Sequence, residues 1–529
     1  MKVLTCLPMP AMRARPAHLG IAAILLALPL ISPLCLATAL PEEPMRIGTT
    51  PQFLLDDYVV DNRWAIKYGD ASQQMVIRVL HAPKKHPKNP LLVQPGMAQT
   101  GERPMATQVN VIPDKESGKL RMWYQVSVDR DSDPATPGNA YAVAYAESVD
   151  GIKWELPKVG KFEWNGSKDN NVIWMGEANK GAASPHVIEL PEKDRRGYRY
   201  AMVYNGAGLH LVGSRDGREW DKSSNVMIAK MHSDTSNTLL FDERRGEYVL
   251  FCRPKHIYRA GGDTFGDGDK GNVLYTGESR RIARMASKEL WTEWKSQPQV
   301  ILQADELDAP EAFTAFYGIT VKLHGDIYWG FLQRFRWNTV INSELTFSRD
   351  GIDFQRLPTR PQLIERGPDG TWEDGLVFVG HQGWVDRGDE WYVYYSGSDG
   401  PHNGPKGAPL SERRKTAIGL ATIRKERFIS MRGPEDGGVI STRRILWPGG
   451  KLVVNADARP GEMRARITDE RRRVIPGFEY KDCVTFNGDS LQHTLTWKGQ
   501  STDSLKGKVI RIEFFLKKAD LFTFRATGS

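Results

Sequence analysis

The 529-residue chain has only four cysteines. Cys6 and Cys35 lie in an apolar leader, and Cys252 and Cys483 stand 231 residues apart (483 − 252). That pattern excludes a disulfide framework and a Cys-x-x-Cys metal site. Cys252 falls in the apolar run Tyr248 to Cys252 and reads as a buried, inert thiol. Stretches with the Ala, Leu and Glu periodicity of helices are scarce, whereas Gly numbers 50 and aromatics make up 10%. This balance favours short strands and many turns. No basic run is dense enough for nucleic acid, since the nearest, Lys84, Lys85 and Lys88, reads as a solvated loop. The chain also lacks a Gly-x-Ser-x-Gly elbow, a His-Glu-x-x-His helix and a P-loop.

What is present begins with a leader. Lys2, Arg13 and Arg15 precede an almost wholly apolar stretch, Leu19 to Leu36, and Ala37-Thr38-Ala39 has the small-x-small form of a cleavage site. Residues 1–39 therefore read as a secretory signal peptide, with an uncleaved anchor as the alternative. Pro29 and Pro33 argue against a membrane helix, and the residues before Cys35 match a lipidation site poorly. Cleavage would take three positive charges and bring the net charge from +8 to +5 (8 − 3). The expected product is secreted or periplasmic. No later stretch is apolar and long enough to span a bilayer.

One unit recurs between about residues 104 and 443. An entry strand is followed by a strand rich in Tyr and Trp, then a strand ending near Ser, then Asp-Gly-x-x-aromatic, then a short apolar strand. The second strands include Leu120 to Tyr124, Tyr200 to Tyr204, Tyr248 to Phe251, Tyr328 to Phe331 and Trp391 to Tyr395. Bulky and small residues alternate with the period-2 signature of a strand. The turns are Asp150-Gly151, Asp216-Gly217 and Asp350-Gly351, where glycine supplies positive φ. The fourth strands are expected at Asn171 to Met175, Val226 to Ala229, Val300 to Gln303, Gln362 to Glu365 and Val439 to Thr442. Units of four strands repeated in this way predict an all-β, five-bladed β-propeller. The alternative is one large β-sandwich. The expected division is a propeller over 46–443, with a lead-in segment 46–103, and a C-terminal β-sandwich over 444–529. Within the lead-in, Phe53 to Val60 reads as a buried strand. The lead-in either lends a strand to the last blade or crosses the face of the ring.

The layout resembles the five-bladed propeller superfamily of the family-32 and family-43 glycoside hydrolases and the family-130 glycoside phosphorylases. In particular, it resembles secreted bacterial members with a C-terminal β-sandwich. The matching stretches are Phe53 to Tyr58, His86 to Leu92, Asp234 to Asn237, Trp372 to Gly375, Tyr394 to Gly397, and Pro448 to Leu452 with Asn455 to Asp457. The resemblance implies a carbohydrate-active enzyme, most simply a glycoside hydrolase acting on polysaccharide or oligosaccharide. The Trp-x-Asn-Asp-Pro-Asn start, the Arg-Asp-Pro and the Glu-Cys of the better-known members are absent, so their catalytic assignments do not transfer.

Glycoside hydrolysis needs two carboxyl groups flanking the scissile bond. In a propeller the starts of the entry strands surround one mouth of the tunnel. Gln108, Asn110, His186, Asp234, Asn237, Glu311, Tyr317, Glu373, Asp374 and His381 stand at or near such starts. Asp57, Asp234, Glu311 and Asp374 are the candidate catalytic acids. His186, Asn237, Arg253, Trp123, Tyr317, His381 and His402 are the candidate substrate-binding residues. Each has a plain alternative: Asp57 tying strands, Asp234 capping a strand start, Glu311 as a loop acid, Asp374 shaping a turn, His186 as a structural histidine, Trp123 as core. No metal or cofactor is expected, although Asp263, Asp267 and Asp269 in the loop Gly261 to Asn272 offer oxygens to a structural Ca²⁺. The other functions open at this point are a non-catalytic glycan-binding propeller and a polysaccharide lyase using His186, Tyr317 and Arg253. No nucleic-acid or membrane partner is expected for the cleaved chain.

Overall fold

The computed structural model describes residues 43–65, 75–93, 106–128, 140–163, 167–177, 181–231, 233, 235–253, 257–258, 264–265, 280–308, 314–336, 339–402 and 415–528. Among them there is no α-helix, only strands and short 3₁₀ turns.

Three sheets are four-stranded antiparallel meanders. The first runs Thr107–Pro113, Leu120–Val128, Ala140–Ser148, Val172–Trp174. The second runs Ala183–Glu189, Tyr200–Asn205, Leu209–Ser214, Trp220–Ala229. The third runs Thr238–Asp242, Glu247–Cys252, Ile282–Ser287, Gln299–Leu302. A larger sheet joins two further meanders through the parallel pair Ile341↔Leu376. One is led by Thr314–His324, Ile327–Arg336 and Ile341–Ser348, the other by Leu376–Val379, Glu390–Ser398 and Thr416–Arg424.

Alternation along the second strands feeds two different cores. Met122 and Tyr124 face Tyr394, Ile418 and Leu420, whereas Trp123 faces Tyr200, Met202 and Tyr204. Further cores join the second meander to the third through Val203 and Leu250, and the third to the fourth through Phe251 and Tyr328. The fourth joins the fifth through Trp329 and Trp391. Because the last meander packs back on the first, the cores close a ring, the arrangement of a propeller.

The Asp-Gly turns serve this ring. Asp150 Oδ1 accepts the amides of Ile152 and Lys153, each at 2.8 Å, and Gly151 has φ 79°. Asp216 and Asp350 repeat the geometry. The neighbouring meander grips each turn. Tyr394 donates to Gly151 O at 2.8 Å, Trp123 Nε1 to Gly217 O at 2.7 Å, and Arg245 to Asp350 O at 2.6 Å.

Beside the ring, two six-stranded sheets share one apolar core. Val509–Lys517 runs through the first and Asp520–Ala526 through the second. These sheets also take strands from the lead-in, so pairing does not change at residue 443. Val60–Ala65 pairs with Gly438–Thr442, which in turn pairs with Val509–Lys517. Ile77–Leu80 pairs with Ile429–Arg432, and Gln52–Phe53 with Asp520–Ala526. Val439 to Thr442, expected as the outer strand of the last unit, thus belongs here. Its place is taken by Lys84–Lys85, which pairs with Ala421 and Thr422, and by the bridge Leu92↔Ile418. The lead-in does lend a strand to the last unit. The expected strand Phe53 to Val60 is broken, because Leu55 to Val59 is a bend and turn.

Candidate functional site

The entry strands line the tunnel. Polar side chains on four of the entry strands bridge to the next meander. Asn110 Nδ2 donates to Pro185 O at 2.8 Å, and its Oδ1 accepts Val187 N at 3.1 Å. His186 Nδ1 accepts Leu239 N at 2.8 Å. Thr238 donates to Ile319 O at 2.9 Å, and Thr320 to Val379 O at 3.4 Å. The amide of His381 donates to Val109 O at 2.8 Å and completes the circuit.

At the strand starts the backbone is strained. Gln108, Ser184 and Ser236 have φ of 51°, 52° and 46°, a region non-glycine residues seldom enter. Register breaks accompany the first two, between Thr107 and Asn110 and between Ala183 and His186. A third break falls at Tyr317, between Phe316 and Gly318. The bulges turn these residues into the tunnel mouth, where a polar network joins them. Gln108 Oε1 lies 2.6 Å from His381 Nε2, and Gln108 Nε2 donates to Thr235 Oγ1 at 3.3 Å. Ser184 N donates to Gln125 Oε1 at 2.6 Å, and Gln333 Nε2 to Ser236 Oγ at 2.7 Å. All are buried. Gly318 is required here, because a Cβ would sit 2.4 Å from that of Ser236.

Beside this floor stands an aromatic and cationic rim. The His402 ring is 4.9 Å from both Tyr317 and Phe335. The Arg253 and Arg280 guanidinium carbons lie 5.1 and 5.5 Å from the centre of the Tyr317 ring. Arg253 is tied to the floor through its amide, which donates to Ser233 Oγ at 3.0 Å. Asn237 accepts Ser233 Oγ at 2.6 Å and donates to Ser233 O at 2.8 Å, clasping the turn between them.

Of the candidate residues, Arg253, Tyr317 and His402 meet at the rim. His186 and His381 stack edge-to-face at 5.3 Å inside the tunnel. Burial holds His186 well below the usual histidine range and brings His381 down to about 4, so both are neutral at pH 7. Asp234 and Glu311 lie outside the described residues, as do residues 1–39. So does the acidic loop Gly261 to Asn272, apart from the Thr264–Phe265 strand. Asp57 is displaced from the mouth. It is exposed in the broken lead-in and paired with Arg78, whose hydrogen bond holds its carboxyl below the usual range. Trp123 is fully buried between the first two meanders, where no sugar reaches. Asp374 shapes a loop, accepting Gly370 N at 2.7 Å and Gly400 N at 2.8 Å. Glu373 is turned to Lys85 Nζ at 2.6 Å and Tyr395 OH at 2.7 Å. Residue reading missed Ser184, Ser236 and Gln333. Small hydroxyls and amides carry no motif; the recurrence of entry-strand starts marks the two serines, whereas Gln333 lies late in the second strand Ile327–Arg336.

No protein-family model matches the chain, and no curated protein matches it. Solved structures do. The chain is similar to propeller glycoside hydrolases. A thermostable family-43 glycoside hydrolase is 13% identical at a TM-score of 0.38, covering 60% of this chain and 89% of its own. A structure from work on the family-130 mannoside phosphorylases, a family containing hydrolases of β-1,2 mannosidic linkages in Candida mannan, is 13% identical. Its TM-score is 0.40, with 66% of this chain and 94% of that one covered. An N-acetylgalactosamine deacetylase from F. plautii, in complex with blood group B trisaccharide, is 15% identical. It covers 66% of this chain and 96% of its own at a TM-score of 0.43. Among the described residues no helix is long and apolar enough to cross a membrane.

Proposed function

We propose that this chain is an exported glycoside hydrolase. Its ring is a five-bladed propeller braced by a β-sandwich, and its substrate is a polysaccharide or oligosaccharide held at the tunnel mouth. The observation that carries this reading is the strained, buried floor of Gln108, Ser184 and Ser236 beneath the Arg253, Tyr317 and His402 rim. Backbone strain of this kind collects where a chain binds or reacts. Tyr317, which is only partly buried, offers a face on which the apolar side of a pyranose packs, and the amides and hydroxyls of the floor suit sugar hydroxyls.

The acid pair of this proposal is Asp234 and Glu311. Chain connectivity sets Asp234 between Ser233 and Thr235, both buried at the floor. It sets Glu311 between Asp308, fixed to Arg356 at 2.6 Å, and the strand that begins at Thr314. One carboxyl protonates the leaving oxygen, and the other attacks the sugar or activates water. The test is reducing-end release from a panel of neutral and sulfated glycans. Asp234→Asn and Glu311→Gln are each expected to lower turnover by about 100-fold or more with an unchanged melting temperature. Wild-type levels of release in both variants would overturn the assignment.

A non-catalytic glycan-binding propeller is the second reading. It is favoured by the engagement of Asp114 with Arg121, Glu147 with Lys119, Glu344 and Asp308 with Arg356, and Glu373 with Lys85. A glycan that raises the melting temperature while no panel member is cleaved would decide for it.

A further inference from the structure

Positive charge gathers on one side of the tunnel mouth. Each meander is antiparallel, so its second strand ends and its third strand begins at the mouth. In the third meander these ends carry Arg253, next after Glu247–Cys252, and Arg280 and Arg281, just before Ile282–Ser287. In the fourth the second strand ends on exposed Arg336, opposite Thr314 at the start of the entry strand. The matching ends of the second meander are Asn205 and Leu209, which bear no charge. The four arginines therefore come from neighbouring meanders, and chain direction alone sets them at one end.

Two of the guanidiniums share one ring. The Arg253 and Arg280 guanidinium carbons stand 5.1 and 5.5 Å from the centre of Tyr317, and that of Arg280 is also 4.9 Å from the centre of Phe335. The rings hold them by their faces, and a stacked guanidinium still directs its N–H groups outward in its own plane. The backbone fixes the cluster. Phe316 N donates to Arg280 O at 3.0 Å, and His402 N to Thr339 O at 3.0 Å, which sets the His402 ring against Tyr317 and Phe335. Arg253 is buried, whereas Arg280, Tyr317 and His402 are half-buried and keep surface that a ligand can reach. Two fixed charges at a concave mouth raise the positive potential there, and a sugar lying on Tyr317 feels it.

We propose that the sugar bound on Tyr317 carries an anionic group, a carboxylate or a sulfate. Arg280 pairs with that group through its fork of N–H donors, and Arg253 adds charge from its buried position. A neutral sugar would gain the stacking on Tyr317 but nothing from the two charges. This inference rests on the reading of the rim as a glycan site and does not depend on the acid pair.

The test is isothermal titration calorimetry of the purified chain with two series of oligosaccharides. One is oligogalacturonate and its methyl ester, and the other is carrageenan oligosaccharide and its desulfated form. An anionic member is expected to bind about tenfold or more tighter than its neutral counterpart, and which one does so separates carboxylate from sulfate. The preference is expected to shrink as sodium chloride rises from about 0.05 to 0.5 M. Arg280→Met, which keeps the stem, is expected to erase it, and Arg280→Lys to keep only part of it. If Arg280→Met does not fold, Arg280→Lys and the salt series in the wild type decide. Equal binding of charged and neutral members, no binding of either anionic member, or a preference that survives in Arg280→Met would each overturn the proposal. Release of reducing ends from neutral glycans alone would overturn it and leave the hydrolase reading intact. A charge preference without any cleavage would support it and count against the hydrolase reading.

Discussion

Single residues fix the ring at its turns. Gly217 has φ 78°, and a Cβ there would lie 2.7 Å from the Trp123 ring. Gly217→Ala is expected to cost about 1–3 kcal/mol, seen as a lowered melting temperature with unchanged far-UV circular dichroism. In the tunnel circuit the bonds differ in quality. Asn110→Ala loses a donor and an acceptor to the next strand and strands Val187 N in a dry place, at a cost of about 1–3 kcal/mol. Thr320→Val loses only a 3.4 Å contact and is expected to stay within about 1 kcal/mol. Equal losses in the two variants would sink the account of the circuit. The turns were legible in the sequence because Asp-Gly carries its own geometry. Asp57 was not, because an acid at the edge of an apolar run reads alike in a strand and in a turn. Only its partner Arg78, on another strand, decides between them.

At the scale of elements, the strap Lys84–Lys85 covers the outer edge of the last meander. Lys85 Nζ is bonded to Glu373, whose side chain is only 9% exposed. Lys85→Met leaves that carboxylate with the Tyr395 hydroxyl alone. It is expected to lower the melting temperature more than Glu373→Gln, which keeps a polar group without the charge. The reverse order would show that the pair adds little. The meanders themselves were legible from alternation, because neighbouring units bury both faces of a strand. The fate of Val439 to Thr442 was not. A short apolar strand looks the same whichever edge receives it, and the competing strand lay some 355 residues earlier (439 − 84).

For the whole molecule, stability should fall on the acid side in two stages. His186, His324 and His381 are held neutral, mainly by burial, with His324 and His381 at about 4. The unfolded chain protonates them near pH 6.5, so their contribution is complete above that pH and drains away as pH falls towards 4. The second stage belongs to Asp114 and Glu147. Burial would raise both, but Ser117 and Arg121 outweigh it for the first, as do Arg218, Lys119 and Tyr145 for the second, holding each at about 2. Their contribution is complete above pH 4–5 and is lost as pH falls through 2. Thermal melts from pH 7.5 to 3 should show the first decline above pH 4. His381→Asn should make it shallower, with His186 and His324 still contributing, and a profile flat to pH 4.5 would contradict the neutral assignment. A chain ending at residue 443 is expected not to fold, since Val60–Ala65 and Gly438–Thr442 would lose Val509–Lys517. A sharp near-UV spectrum from it would prove otherwise.

That shared sheet also sets a schedule. Gln52–Phe53 waits, unpaired, for Asp520–Ala526 and Val60–Ala65 for Gly438–Thr442, while the edge strand at Lys84–Lys85 waits for Thr416–Arg424. The meanders between Thr107 and Leu302 pair locally, but the two sheets beside the ring do not. Assembly is therefore bound to long-range closure and to slow folding, and the shared sheets stay open until Val509–Lys517 and Asp520–Ala526 are available.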